Sequence, residues 1–190
     1  MKPLVIALAL FAMGFGMKTA RAVDVGDKAP AFEGVDDQGH PWSSADHVGK
    51  GVLVVYFYPA DLTGGCTKQA CGFRDDMKTL AAKGVEVVGV SGDSVANHQL
   101  FKKVKDLNFT LLADEKGAIA KAFGVPTKAG AIFKYKTEDG ETHVLKRGVT
   151  AARWTFVIDK QGKIAVKETK VKAPGDDAKA VAAAVDALNK

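Results

Sequence analysis

Residues Val52 to Tyr58 read VLVVYFY, a run of apolar and aromatic side chains with no polar position in it. A strand of this composition has no face that tolerates water, so it must sit in a sheet covered on both sides. Pro59 ends it, because proline has no N–H to give to a ladder. Beyond the proline, Ala70, Phe73, Met77 and Leu80 recur at helical spacing, and Gly84 supplies a C-terminal stop. Val85 to Ser91 is then expected as a second buried strand. A helix over Ser94 to Leu107, a strand over Thr110 to Ala113 and a short helix over Ala118 to Phe123 continue the alternation.

Other segments add strand pairs. Asp36-Asp37-Gln38-Gly39 predicts a turn between two short strands near the start. Ala131 to Gly148 alternates around Glu138-Asp139-Gly140 and predicts a hairpin laid onto the surface. Trp154 to Ile158 and Ile164 to Val171 flank a turn at Lys160-Gln161-Gly162. A last helix starts near Asp176 and is expected to bury Val181, Val185 and Leu188. The implied fold class is α/β, a central mixed sheet flanked by helices on both sides. At 190 residues the chain has room for one large domain.

The first 22 residues have another character. Met1-Lys2 is a basic start, Leu4 to Met17 is apolar and free of acid, and Ala20-Arg21-Ala22 has the small-x-small pattern of a signal-peptidase site. The apolar run is shorter than the ~20 residues that span a bilayer. Residues 1–22 are therefore expected to be a secretory signal, residues 23–190 the folded domain, and the mature protein periplasmic or secreted, without stable membrane association. Loss of Lys2, Lys18 and Arg21 leaves 24 basic against 22 acidic residues, a net charge of +2. The precursor's pI of about 9.1 thus gives no nucleic-acid reading, and the lysines lack interleaved aromatics.

The chemistry concentrates in residues 59–71. Cys66 follows a strand, a proline and a short loop, and opens the first helix. Unsatisfied N–H groups and the positive end of the helix dipole favour a thiolate there. Thr63 can cap that helix or donate a hydrogen bond to an incoming substrate. Cys71 lies five positions on, and two such residues on a helix are about 8.7 Å apart at Cα, beyond the ~7 Å a disulfide can span. The helix must open for the sulfurs to meet. Gly64, Gly65 and Gly72 would ease that opening. A static disulfide is the plainer reading of two cysteines in an exported chain, but so short a loop would contribute only about 2 kcal/mol. His40, His47, His98 and His143 are scattered, read as solvent-facing, and suggest no metal site. No cofactor is expected.

The segment YFYPADLTGGCTKQACGFR, residues 56–74, resembles the active-site segment of peroxiredoxins, in the bacterioferritin comigratory protein (PrxQ) branch. The family's Pro-x-x-x-Thr-x-x-Cys pattern falls on Pro59, Thr63 and Cys66, and the branch's resolving cysteine falls on Cys71. The likeness continues through Gly89–Asp93, Leu112–Gly117, Phe123–Val125 and Arg153–Asp159. It implies a thioredoxin-like fold with an N-terminal β-hairpin extension, with Arg153 as the second active-site cation and Pro59 shielding the pocket. It further implies reduction of hydrogen peroxide and organic hydroperoxides through a Cys66 sulfenic acid resolved by Cys71, with a thioredoxin-like donor and a monomer or weak homodimer. Two features depart from the branch: Thr-Gly-Gly-Cys stands where Thr-Pro-Gly-Cys is usual, and the segment from Val125 to Arg153 is long. Two other readings are open to an exported thioredoxin-fold chain, a copper carrier resembling the Sco group and a disulfide oxidoreductase. The first expects CxxxC and the second CxxC, and neither spacing is present.

Overall fold

A computed structural model describes residues 22–188, so the signal-sequence reading falls almost wholly outside it. In chain order the strands are β1 (Glu33–Asp36), β2 (Pro41–Ser43), β3 (Val52–Phe57), β4 (Val85–Ser91), β5 (Thr110–Ala113), β6 (Thr127–Ala129), β7 (Ile132–Lys136), β8 (Thr142–Lys146), β9 (Val149–Ala151), β10 (Trp154–Ile158) and β11 (Ile164–Glu168). The helices are α1 (Gly64–Ala82), α2 (Val95–Lys105), α3 (Ala118–Phe123) and α4 (Asp177–Leu188). Seven strands form one mixed sheet in the order β11-β10-β3-β4-β5-β1-β2. The two apolar runs, β3 and β4, lie side by side and parallel at its centre. The expected hairpin of β1 and β2 extends the sheet by pairing β1 with β5.

Because side chains alternate along a strand, β3 feeds two cores at once. Val52, Val54, Tyr56 and the following Tyr58 point to one face, where Phe73 and Leu80 of α1, Phe101 of α2, and Val181 and Val185 of α4 cover them. Leu53, Val55 and Phe57 point to the other, against Phe156, Trp42, and Ile119 and Phe123 of α3. Every residue of β3 is buried. Tyr56 stacks on Phe73 with ring centroids 4.8 Å apart. Gly89, its neighbour on β4, leaves the ring room, since a Cβ there would stand 2.8 Å from the Tyr56 hydroxyl.

Local chemistry sets the helix ends. Gly84, at φ +71°, turns the chain out of α1, a conformation glycine adopts without strain. The Ser94 hydroxyl accepts the Asn97 N–H at 3.3 Å and caps α2. Three lysines in the last turn of α2 meet the negative end of its dipole.

Several expectations need correction. Leu188 is 45% exposed, because α4 turns only its Ala178, Val181 and Val185 stripe to the sheet. β11 stops at Glu168 rather than running to Val171. A second ribbon, β6 with β9, brackets the 131–148 hairpin and was not legible in the sequence, its strands being only three residues each. The hairpin itself is as expected, with β7 and β8 in a five-pair register. It is anchored through buried Leu145 and through Phe133 and Tyr135. Gly72 has a packing reason rather than a flexibility one. A Cβ there would stand 2.6 Å from the Gly175 carbonyl oxygen, so α1 and the short 3-10 turn Pro174–Asp176 touch backbone to backbone.

That contact sets the sign of a substitution. Glycine to alanine inside a helix normally adds about 1 kcal/mol. Here Gly72→Ala must push two backbones apart and is expected to lower stability by about 1–3 kcal/mol. Urea unfolding of the two proteins measures the difference, and a stabilised variant would contradict the packing assignment.

Candidate active site

The site is built where β3 gives way to α1. The Tyr58 N–H still bonds the Val90 carbonyl at 3.1 Å, and Pro59 then ends the pairing. The loop turns sharply at Leu62, whose φ of +58° is uncommon for a residue with a side chain. Thr63 occupies the N-cap position, but its hydroxyl makes no cap. It donates instead to the Ala60 carbonyl at 3.0 Å, tying the loop to itself. The first bond of α1 runs from the Thr67 N–H to the Thr63 carbonyl at 2.8 Å. The N–H groups of Gly64, Gly65 and Cys66 therefore precede the ladder and form the positive end of the helix.

Cys66 sits in that first turn, 2% exposed and not joined in a disulfide. Arg153, in the link between β9 and β10, brings Nη2 to 3.1 Å from the Cys66 sulfur. A guanidinium is permanently charged, so a sulfur facing both it and a helix N-terminus is placed where negative charge is stabilised. The two glycines before Cys66 differ in their surroundings. A Cβ at Gly65 would stand 3.4 Å from Arg153 Nη2, whereas one at Gly64 would meet nothing within 4 Å. A side chain at position 65 would thus be in ordinary van der Waals contact with the cation, and position 64 is open.

The same arginine is held from behind. Its Nη1 donates to Gln69 Oε1, Gln69 Nε2 donates to Asp177 Oδ2 at 2.7 Å, and the Thr155 hydroxyl donates to that same oxygen at 2.7 Å. Burial raises the Asp177 carboxyl, while the bonds from Thr155 and Gln69 and the charge of Arg153 pull it back.

A second buried network lies under the loop. Asp61 is 1% exposed; its Oδ1 accepts from the Tyr58 hydroxyl at 2.7 Å and its Oδ2 contacts His98 Nδ1 at 2.8 Å. The Asp61 N–H donates to Asp93 Oδ2 at 3.0 Å. Asp93 also accepts from Ser91 and Asn97, and Asn97 reaches the Lys146 carbonyl at the base of the hairpin. The Pro59–Thr63 loop is therefore tied to α2 and to the β7–β8 hairpin. His98 is fully buried, which corrects its reading as solvent-facing. Burial lowers its proton affinity, yet the Asp61 charge and hydrogen bond, with help from Asp93, raise it above the ordinary histidine value. Asp93 is raised mainly by burial and then by the Asp61 charge. The other three histidines lie nearer the surface, His47 stacked on Trp42 and paired with Glu86.

Of the residues singled out from sequence, Cys66 and Arg153 are in contact. Thr63 is three residues before Cys66, with its hydroxyl turned to Ala60. Pro59 lines a depression of about 280 Å³ with Pro126, Lys128, Thr150, Ala151 and Ala152. Cys71 is a free, half-buried thiol five positions along the same unbroken helix. Gln69, Asp177, Asp61 and His98 were not anticipated. Gln69 stands one turn after Cys66 and was findable by spacing, whereas Asp177 is 108 residues from Gln69 in sequence. Among the described residues no cluster of three or more His, Cys, Asp or Glu side chains is disposed to hold a metal ion. No helix among them is long and apolar enough to cross a membrane.

Comparison with known proteins shows the family. Residues 25–167 match the model of the AhpC/TSA family. The chain is 41% identical over 160 residues to the peroxiredoxin bcp assigned in Coxiella burnetii, covering 84% of this chain and 97% of that one. It is 44% identical over 140 residues to the chloroplastic peroxiredoxin Q of Sedum lineare, 74% of this chain and 66% of that one. Among solved structures, peroxidoxin BcpB of Mycobacterium tuberculosis superimposes with a TM-score of 0.72 at 32% identity, over 87% of this chain and 98% of that one.

The buried Asp61–His98 pair has a pH signature. Because the folded-state histidine binds its proton more tightly than the unfolded one, the pair's contribution is fully present below about pH 6.5 and is lost as pH rises through the folded value. His98→Ala is expected to cost about 3–5 kcal/mol in the low range, and the difference from wild type should shrink at alkaline pH. Denaturant unfolding across that range tests this, and a gap that widened with pH would be the wrong sign.

Proposed function

This chain belongs to the AhpC/TSA family, in its peroxiredoxin Q (bacterioferritin comigratory protein) branch, and from that premise we propose that its thiol peroxidase chemistry runs through Cys66 and is closed by Cys71. The observation that carries the assignment is the Arg153 guanidinium 3.1 Å from a sulfur in the first turn of α1. The Cys66 thiolate attacks the terminal oxygen of a hydroperoxide. An S–O bond forms, the O–O bond breaks, and the departing oxygen takes a proton to leave as water or an alcohol. Charge moving from sulfur to oxygen stays beside Arg153 and the free N–H groups of the helix start, which supports the transition state. Thr63 orients the peroxide, and Pro59 shields the pocket from water.

The product on Cys66 is a sulfenic acid. The Cys71 thiolate attacks that sulfur, forming the disulfide and releasing water once protonated. Two sulfurs five residues apart on a closed helix cannot bond, so residues 66–71 unwind for this step. A thioredoxin-like dithiol then returns two electrons by thiol–disulfide exchange. Hydrogen peroxide and organic hydroperoxides are the proposed substrates, a monomer or weak homodimer the proposed state, and the periplasm or exterior the proposed location. The copper-carrier reading is less favoured: Cys66 and Cys71 lie in one closed helix, and His98 is committed to Asp61. The disulfide-oxidoreductase reading lacks a CxxC pair.

Peroxide consumption by single-cysteine variants separates these readings. Cys66→Ser is expected to be inactive, and Cys71→Ser to turn over once and stall without an added thiol. Peroxide loss unchanged in Cys66→Ser, with tight Cu(I) binding by reduced wild type, would favour the carrier instead. For the location, the exported protein is expected to begin at Val23 on N-terminal sequencing, and an intact Met1 start would refute cleavage.

A further inference from the structure

Arg153 needs to be both immobile and fully charged to serve the sulfur, and these demands conflict. A carboxylate partner would fix it but neutralise it. Among the described residues no carboxylate pairs with Arg153 directly; the fixing group is the neutral side chain of Gln69. An amide can point either end at a neighbour, so its orientation has to be imposed from elsewhere. Asp177 imposes it. An ionised carboxylate only accepts and a guanidinium only donates, so Gln69 between them has one arrangement, with Nε2 to Asp177 and Oε1 to Arg153. The flipped amide would set carbonyl against carboxylate and NH2 against guanidinium. The groups behind Arg153 are removed from water: Gln69 is 0% exposed, Thr155 1% and Asp177 5%. Thr155, on β10, holds the carboxylate oxygen that Gln69 uses.

The relay also crosses the segment that must unwind. Gln69 lies between Cys66 and Cys71, so bringing the two sulfurs together withdraws it from Arg153 and from Asp177. The 3-10 turn and α4, which carry Asp177, lie against the same face of α1, where Gly72 meets Gly175.

We propose that Asp177 is a positioning residue with two opposed effects: acting through Gln69 it fixes Arg153 on the Cys66 sulfur and speeds attack on peroxide, and the same bond holds residues 66–71 wound and slows disulfide closure. The inference rests on the peroxidase reading above. It makes the start of α4 a remote determinant of how long the sulfenic acid persists.

The test is single-turnover stopped-flow of the reduced full chain with hydrogen peroxide, following sulfenate formation and disulfide closure separately, with thermal unfolding alongside. Asp177→Ala is expected to slow the first step by at least about tenfold, in the range seen when a group that orients a ligand is removed. It is also expected to quicken the second by about threefold or more, since a hydrogen bond no longer opposes unwinding. Asp177→Asn keeps an oxygen that accepts from Gln69 and Thr155 and should hold both rates within about threefold of wild type. Gln69→Leu should repeat the paired change of Asp177→Ala, which keeps the test valid if that variant does not fold. Val185→Ala, which loosens α4 at a fully buried site away from the relay, should lower the melting temperature and leave both rates alone. The inference is overturned if both relay variants match wild type in the first step, if Val185→Ala slows that step as much, or if both steps fall together. A wild type showing no Cys66-dependent peroxide reaction would instead overturn the peroxidase reading.

Discussion

One geometric conflict organises the molecule. The helix start that stabilises charge on Cys66 also keeps Cys71 out of reach, because a regular helix separates residues five apart by more than a disulfide can bridge. The proposed activation and resolution of the sulfur thus call for two conformations of residues 66–71. In the structure the wound one is present, with Arg153 against the sulfur and two free thiols.

Holding α1 in place is what the surrounding layers accomplish. Phe73 and Leu80 lock its length onto β3, and Tyr56 stacks directly beneath Phe73. The first turn has less of this. Its residues before Cys66 are exposed glycines, its cap position makes no side-chain cap, and apart from the buried Cys66 its restraints are polar: the Thr63–Ala60 bond, the Arg153 contact and the Gln69–Asp177 tie. Apolar packing resists opening through many contacts at once, whereas a few hydrogen bonds, each of modest net worth, can exchange for water. The division between a packed body and a polar first turn suits the proposed opening of the helix at one end only.

Under the loop, the buried Asp61–His98 pair and its links to Asp93, Asn97 and Lys146 connect the Pro59–Thr63 turn to the segment between Val125 and Arg153. That segment is thereby part of the support of the site, with Leu145 buried in the same core as Cys66. Pairing lets these charges lie in the interior; unpaired, either would be costly there.

Much of this was legible in the residues. An unbroken apolar run needs a covered strand, glycines and prolines mark element ends, and a cysteine followed by an apolar stripe at helical spacing marks a helix start, since each of these depends on interactions within a few positions of the chain. The three-residue strands β6 and β9 were not legible, nor was the burial of His98 or the exposure of Leu188, because pattern alone does not say which neighbour a side chain will meet. Arg153 stood out only through resemblance, and Asp177 not at all. What joins Cys66 to Arg153, Gln69 and Asp177 is the closing of β10 against β3 and of α4 against α1, contacts across 84 to 108 residues. The sequence determined which sulfur opens the first helix and how far the second cysteine lies along it; only the tertiary packing decided which cation faces that sulfur and what holds the cation there, since hydrogen bonds between distant segments exist only once the layers have brought them together.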